Sequence, residues 1–206
     1  MDLAHPLRSL IPSLDSAVLD VLVGTESGLS ASQIARLSRR GSRQGQATVL
    51  DRLVYHGLVV AEPANRGHLY RFNREHVLAP AVEIASAARG AVMSRLAGAL
   101  ETFYPLPVHA SVFGSLARSE GSPQSDIDLL LVAGDGSDID IWTDQIRELE
   151  DGVFVWTGNR LESLALTTDG LREAERRGEP LVASLLQDSI VVHGGPLADV
   201  IRRTRR

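Results

Sequence analysis

The chain has 206 residues, 44% hydrophobic and 23% charged, with a net charge of −5 and no cysteine, which excludes disorder as the main state, disulfide scaffolds, thiolate metal sites and cysteine nucleophiles. All 21 basic residues are arginine, so no mechanism here uses a lysine base, a Schiff base or a P-loop lysine. No apolar run reaches the ~18–20 residues of a membrane span and the first residues lack the pattern of a secretory signal, so a cytoplasmic protein of one large or two small domains is expected.

Leu14, Val18, Leu19, Leu22 and Val23 recur at helical spacing, and Gly24 and Gly28 end that helix. Ser30 is a candidate N-cap for a short helix over 31–37 with Ile34 and Leu37 inward. Ser42 is the same for a third helix over 43–56, whose expected apolar stripe is Ala47, Leu50, Leu53 and Val54, with Gly57 as its stop. Two β-like runs, LVVAE and HLYRF, follow around the turn-rich PANRG. An alanine-rich pattern then predicts one long helix over 75–101, with Pro80 in or just before its first turn. Pro105 and Pro107 forbid its continuation.

Charge is uneven along the chain. Residues 1–77 carry nine arginines against seven acids, a net of +2, and residues 78–206 carry twelve against nineteen, a net of −7. An acidic chain is a poor polyanion binder as a whole, but its first third need not be.

The stretch VHASVFGSLARSEGSPQSDIDLLLV, residues 108–132, carries the chemistry. VHASVF reads as a strand, Gly114-Ser115 follows it, and DIDLLLV reads as a second strand. Period two puts Asp126 and Asp128 on one face, ~7 Å apart. Two carboxylates so placed repel unless a cation lies between them, and oxygen donors of this kind suit Mg²⁺, which also takes phosphate oxygens. Gly114 permits close backbone approach, and Ser115 can offer a hydroxyl and an N–H to a triphosphate. Taken alone, Asp-Ile-Asp equally suits a solvated strand end.

A helix over 138–149, a strand over 153–156, the turn TGNR and a strand over 161–167 are expected next. Glu162, at the start of that last strand, is the candidate third carboxylate, with Leu164 and Leu166 on its face; a solvated edge-strand glutamate is the alternative. Helices over 168–177 and 180–187, the strand SIVVHG and a basic IRRTRR tail close the chain. The six histidines show no metal spacing, and each is expected at the surface or in a cap. No Gly-x-Ser-x-Gly or Walker sequence is present.

Two resemblances add to this reading. The words SASQIARLS, ATVLDRLVYHGLVV and NRGHLYRFN, in the order helix, helix, helix, hairpin, resemble bacterial winged helix-turn-helix regulators over about residues 10–75. That resemblance implies DNA recognition by the third helix and the wing, through Arg39, Arg40, Arg43, Gln44, Gln46 and Thr48, and through Arg66 and His68 beside Asn65; dimerisation or protein contact is the alternative use. Residues 108–132 resemble the core motif of the polymerase-β-like nucleotidyltransferases, in their minimal bacterial form. The resemblance implies that Gly114 and Ser115 hold the nucleotide phosphates, that Asp126 and Asp128 bind Mg²⁺ with Glu162 completing the set, and that Arg118 and Ser125 touch phosphate.

The expected architecture is therefore α+β: a winged helix-turn-helix over 1–75, a connecting helix over 76–104, and a nucleotidyltransferase mixed sheet with flanking helices over 105–206. The expected activity is Mg²⁺-dependent transfer of a nucleoside monophosphate from an NTP, ATP first, to a hydroxyl of a protein, RNA or small molecule. DNA binding, a homodimer, a protein partner and an antitoxin-like role accompany it. The alternative is a DNA-binding regulator whose transferase fold senses nucleotide or is inactive.

Overall fold

In the computed structural model, residues 1–65, 67–120 and 122–202 are described. The chain forms two compact units, one built from Asp2 and Ala4–Arg89, the other from Met1, Leu3 and the chain from Gly90 onward. Among the described residues no helix is long and apolar enough to cross a membrane.

The first unit runs α1 (Pro6–Leu10), α2 (Leu14–Val23), β1 (Leu29–Ser30), α3 (Ala31–Ser38), α4 (Arg43–Tyr55), β2 (Val59–Ala64), β3 (Gly67–Phe72) and α5 (Ala79–Ser86). Its sheet is antiparallel in the order β1-β3-β2. Ser30 caps α3 in a reciprocal capping box: its hydroxyl accepts from the Gln33 N–H, and Gln33 Oε1 accepts from the Ser30 N–H. Ser42 caps α4 by accepting from the Gly45 N–H, and Gly57, at φ +78°, takes the left-handed turn that ends the helix approach to β2. Leu7, Val18, Leu22, Ile34, Leu50 and Val59 form the centre of the core.

Three expectations for this unit are corrected, the first being Leu37, which is 53% exposed while Ile34 is the buried residue of α3. The apolar stripe of α4 is Val49, Leu50 and Leu53 with Gln46, whereas Ala47 is exposed. Gln46 is 2% exposed, and its amide donates to Ser38 Oγ and the Arg40 carbonyl. A polar residue whose amide nitrogen is tied to the end of α3 and the turn after it replaces an alanine that periodicity had favoured. The single helix expected over 75–101 is also interrupted. α5 ends at Ala87 (φ −82°, ψ 0°) and α6 (Ala88–Leu100) follows. The physical reason is that the two pieces serve different cores: α5 buries Ala79 and Val82 in the first unit, and α6 buries Val92, Leu96 and Leu100 in the second.

The second unit continues with β4 (His109–Phe113), α7 (Gly114–Ala117), β5 (Ile127–Ala133), a 3₁₀ turn (Ile139–Trp142), α8 (Thr143–Thr157), β6 (Leu161–Thr167), α9 (Thr168–Arg176), α10 (Pro180–Asp188), β7 (Ile190–Gly194) and α11 (Leu197–Arg202). The sheet order is β6-β5-β4-β7; β5 runs parallel to β6 and antiparallel to β4, and β7 is antiparallel to β4. Alternation sorts β5 onto two cores. Ile127, Leu129, Leu131 and Ala133 pack with α6, Trp142, Leu149 and Val153. Leu130 and Val132 pack with Leu171, Val182, Leu185, Leu197 and Ile201 of the last three helices. A strand buried on both faces reads as a continuous apolar run, which is what LLLV is.

Residues 153–156, expected as a strand, belong to α8. Leu149, Val153 and Thr157 are buried at a spacing of four, while Phe154 and Val155 are exposed. The β-branched and aromatic content of this run suggests a strand, but the four-residue burial rhythm demands a helix. Gly158, at φ +72°, ends it. The tail expected at 201–206 is helical at Ile201 and Arg202, which close α11, and residues 203–206 lie outside the described residues.

His109 also departs from the surface position expected for it, being fully buried. Its Nδ1 lies 2.8 Å from the Gly195 carbonyl and its Nε2 lies 3.0 Å from Ser111 Oγ. A carbonyl only accepts, so Nδ1 carries the proton and Nε2 accepts from the Ser111 hydroxyl. Burial first, and His193 beside it, hold its pKa below the ordinary 6.5, against the bond to Gly195. As pH falls below 6.5, the unfolded chain takes up a proton that the folded chain resists, so stability falls with acidification over that window. Thermal melts between about pH 5 and 7.5 are expected to show this slope in the wild type and a flatter one in His109→Gln. An equal slope in both would remove His109 as its source.

Candidate functional site

The site is built by register. Phe113 pairs with Asp128 across β4 and β5, and Asp128 pairs with Glu162 across β5 and β6. Paired residues on adjacent strands, ~4.8 Å apart, share a face. Asp126, one residue before β5, projects to the same side by alternation. The face that carries Leu130, Val132, Leu164 and Leu166 into the apolar layer further along thus carries Asp128 and Glu162 at its open end. Glu162 is exposed, whereas Asp126 and Asp128 are half-buried.

The electrostatics follow from this placement. Burial pushes the Asp128 carboxyl above its ordinary value, and the charges of Glu162 and Asp126 push it further, with Arg118 opposing them. Asp128 therefore feels both of its acidic neighbours. Gly114 completes the arrangement: it has φ +68°, and a Cβ there would lie 2.0 Å from Asp128 Oδ2. Only glycine gives both the left-handed backbone and the space that the Asp128 carboxylate occupies. Ser115 follows in the first turn of α7, half-buried.

Arg118 stands just past α7, with Nε donating to Glu120 Oε2 at 2.9 Å. That bond first, then the acidic surroundings including Asp128, raise its pKa. Ser125 is fixed within its own loop. Its hydroxyl accepts from the Ser122 N–H at 2.8 Å and its carbonyl accepts from Asn159 Nδ2 at 2.9 Å. It closes the loop that delivers Asp126. Asn159, 3% exposed, is a residue that sequence reasoning missed. It stands in the TGNR turn between α8 and β6 and ties that turn to the residue before Asp126. The only signal for it was an asparagine in a turn, which is too common to single out.

Among the described residues no group of three or more His, Cys, Asp or Glu side chains converges closely enough to hold a metal ion by itself. The donor chemistry still fits a divalent cation: hard carboxylate oxygens, mutually repelling and partly desolvated. Asp126 and Asp128 are the residues that would hold such a cation, with water and phosphate oxygens as its further ligands, as is usual for Mg²⁺.

In the first unit, Arg39, Arg43, Gln44 and Thr48 are exposed and Arg40 is half-exposed. The Thr48 hydroxyl donates back to the Gln44 carbonyl at 3.1 Å. His68 is exposed on β3. Gln46 does not share this surface, for the reason given above, and Arg66 lies outside the described residues.

Residues 93–160 match the family model described as nucleotidyltransferase domain. The matched segment includes Gly114, Ser115, Asp126 and Asp128 and stops two residues before Glu162. Glu162 thus joins the site through strand register alone. No curated protein and no solved structure gave a significant match to the chain.

Because the folded-state pKa of Asp128 is raised from 3.8, the folded chain holds that proton more tightly than the unfolded chain. Stability is lost as pH rises through this window, and at neutral pH the ionised group is a net liability. Asp128→Asn is therefore expected to raise the melting temperature by a few degrees in chelator. Millimolar Mg²⁺ is expected to raise the wild-type midpoint and leave the variant unmoved. Calorimetry with and without the cation checks this, and an equal Mg²⁺ response in both proteins would exclude Asp128 as a ligand.

Proposed function

We propose that this protein is a divalent-cation-dependent nucleotidyltransferase, moving a nucleoside monophosphate from an NTP, ATP first in line, to a hydroxyl of a protein, RNA or small molecule. The observation that carries the reading is the register Phe113↔Asp128↔Glu162, with Gly114 yielding its Cβ space to the Asp128 carboxylate. The family match over residues 93–160 supports it.

Asp126 and Asp128 would hold the cation. Mg²⁺ bound there neutralises charge on the phosphates and acidifies the attacking hydroxyl. Gly114 leaves room for the Asp128 carboxylate and brings its own backbone to the triphosphate, whose oxygens the Ser115 hydroxyl and the Arg118 guanidinium meet. The acceptor oxygen forms a bond to the α-phosphorus as the bond to the bridging oxygen of pyrophosphate breaks. The hydroxyl proton passes to Glu162, whose exposure leaves it open to an arriving acceptor. Incubation with labelled NTPs, Mg²⁺ and cell lysate is expected to label an acceptor. Asp126→Ala and Asp128→Ala should reduce transfer by at least about 100-fold, with Glu162→Gln down by about 10- to 100-fold, the range for a removed general base. Undiminished transfer by the double aspartate variant would sink the assignment.

The first unit supports a second reading that is compatible with this one. Helices α2, α3 and α4 lead into the β2–β3 hairpin, in the order of a winged helix-turn-helix, and α4 exposes Arg43, Gln44 and Thr48 with Arg39 before it. We infer that it binds DNA as a homodimer, with α4 in the major groove. A cytoplasmic, autoregulating protein that modifies a partner, as an antitoxin does its toxin, would use both units. In a gel shift on its own promoter region, Arg39→Ala with Arg43→Ala is expected to weaken binding about ten-fold or more and flatten its salt dependence by about two charges. Unchanged binding would remove this surface from consideration.

A further inference from the structure

Asp188 is the last residue of α10, so its carboxylate stands at the negative end of that helix. Helix electrostatics disfavour an acid there, and something else must account for its orientation. The pairing Val112↔Ile190 brings the junction of α10 and β7 beside the junction of β4 and α7. Asp188 Oδ2 lies 3.8 Å from Arg118 Nη1, an ion pair between residues far apart in sequence. Glu120 holds the same guanidinium at Nε, and Asp128 acts on it through space. A half-exposed pair of this kind adds little to stability. Its effect is on where the guanidinium stands.

We propose that Asp188 is a positioning residue for nucleotide binding: it holds the Arg118 guanidinium at the end of the sheet where Gly114 and Asp128 meet, directed toward the triphosphate oxygens. This rests on the nucleotide reading above. Asp188 itself stays off the phosphates. It sits on the β7 side of the sheet, whereas Asp126, Asp128 and Glu162 lie on the β5–β6 side. Glu120 holds the guanidinium from within the same turn, two residues from Arg118, whereas Asp188 holds it from a separate element.

The sign of one measurement separates positioning from simple charge. Removing a negative charge near an anion site would by itself tighten anion binding. Losing the tether of Arg118 would weaken it. The full-length protein is titrated with a fluorescent non-hydrolysable ATP analogue in Mg²⁺, with inorganic tripolyphosphate as competitor. Asp188→Asn is expected to weaken both ligands roughly five-fold, the upper range for an exposed ion pair, with a melting temperature no lower than that of the wild type. Asp188→Glu should restore part of the loss. In an Arg118→Ala background Asp188→Asn should have no further effect. Binding by Asp188→Asn that is unchanged or tighter overturns the proposal, as does an equal further loss in the Arg118→Ala background. A wild-type protein that fails to bind the analogue overturns the nucleotide reading itself, and this inference with it. That outcome is distinct from wild-type binding that Asp188→Asn leaves intact.

Discussion

The Asp128 carboxylate occupies the space where any other residue at position 114 would place its Cβ. That contact ties the end of β4 to the start of β5, and the rest of the site is arranged around it. The left-handed backbone at Gly114 turns the chain from strand into α7 without a side chain in the way. Asp128 is thereby drawn partly out of water, between the β4–α7 corner and Glu162. Burial and like charge both work against its ionisation. A fold optimised only for stability would not keep three acids at the mouth of a sheet. The arrangement makes sense if a cation and a polyphosphate relieve it.

The central strand meets this demand through alternation. One set of its residues packs under α6 and α8, and the other under α9, α10 and α11. Asp128 shares the face of the second set and stands just before its apolar members Leu130 and Val132. Polar chemistry is thus placed at the end of a strand whose next residues are wholly apolar. The rigid core behind the acids limits how far they can separate to escape one another.

Much of this was legible in the sequence. Gly114, Ser115, Asp126 and Asp128 stand out by type and spacing, and Ser30 and Ser42 cap the helices their positions suggest. The misjudged elements share a cause. Val153–Trp156 have strand-like side chains in a helix, Gln46 is a polar residue in a core stripe, and His109 is a buried ring satisfied by Gly195 and Ser111. In each, a partner distant in the chain or on another turn overrides local preference. Likewise, the break at Ala87 exists because α5 and α6 answer to separate cores, a fact no periodicity reports.

By itself, the sequence determined that the chain has two parts of opposite charge, that it holds no lysine, and that one Gly-Ser and one Asp-Ile-Asp stand out by type and spacing. These follow from residue type and short spacing. Tertiary structure alone decided that Glu162 stands beside Asp128, that Asn159 fastens the loop before Asp126, and that Asp188 reaches Arg118. Each of those depends on strand register or on a contact between distant elements. Register is set by packing of the whole sheet, so no local pattern can encode it.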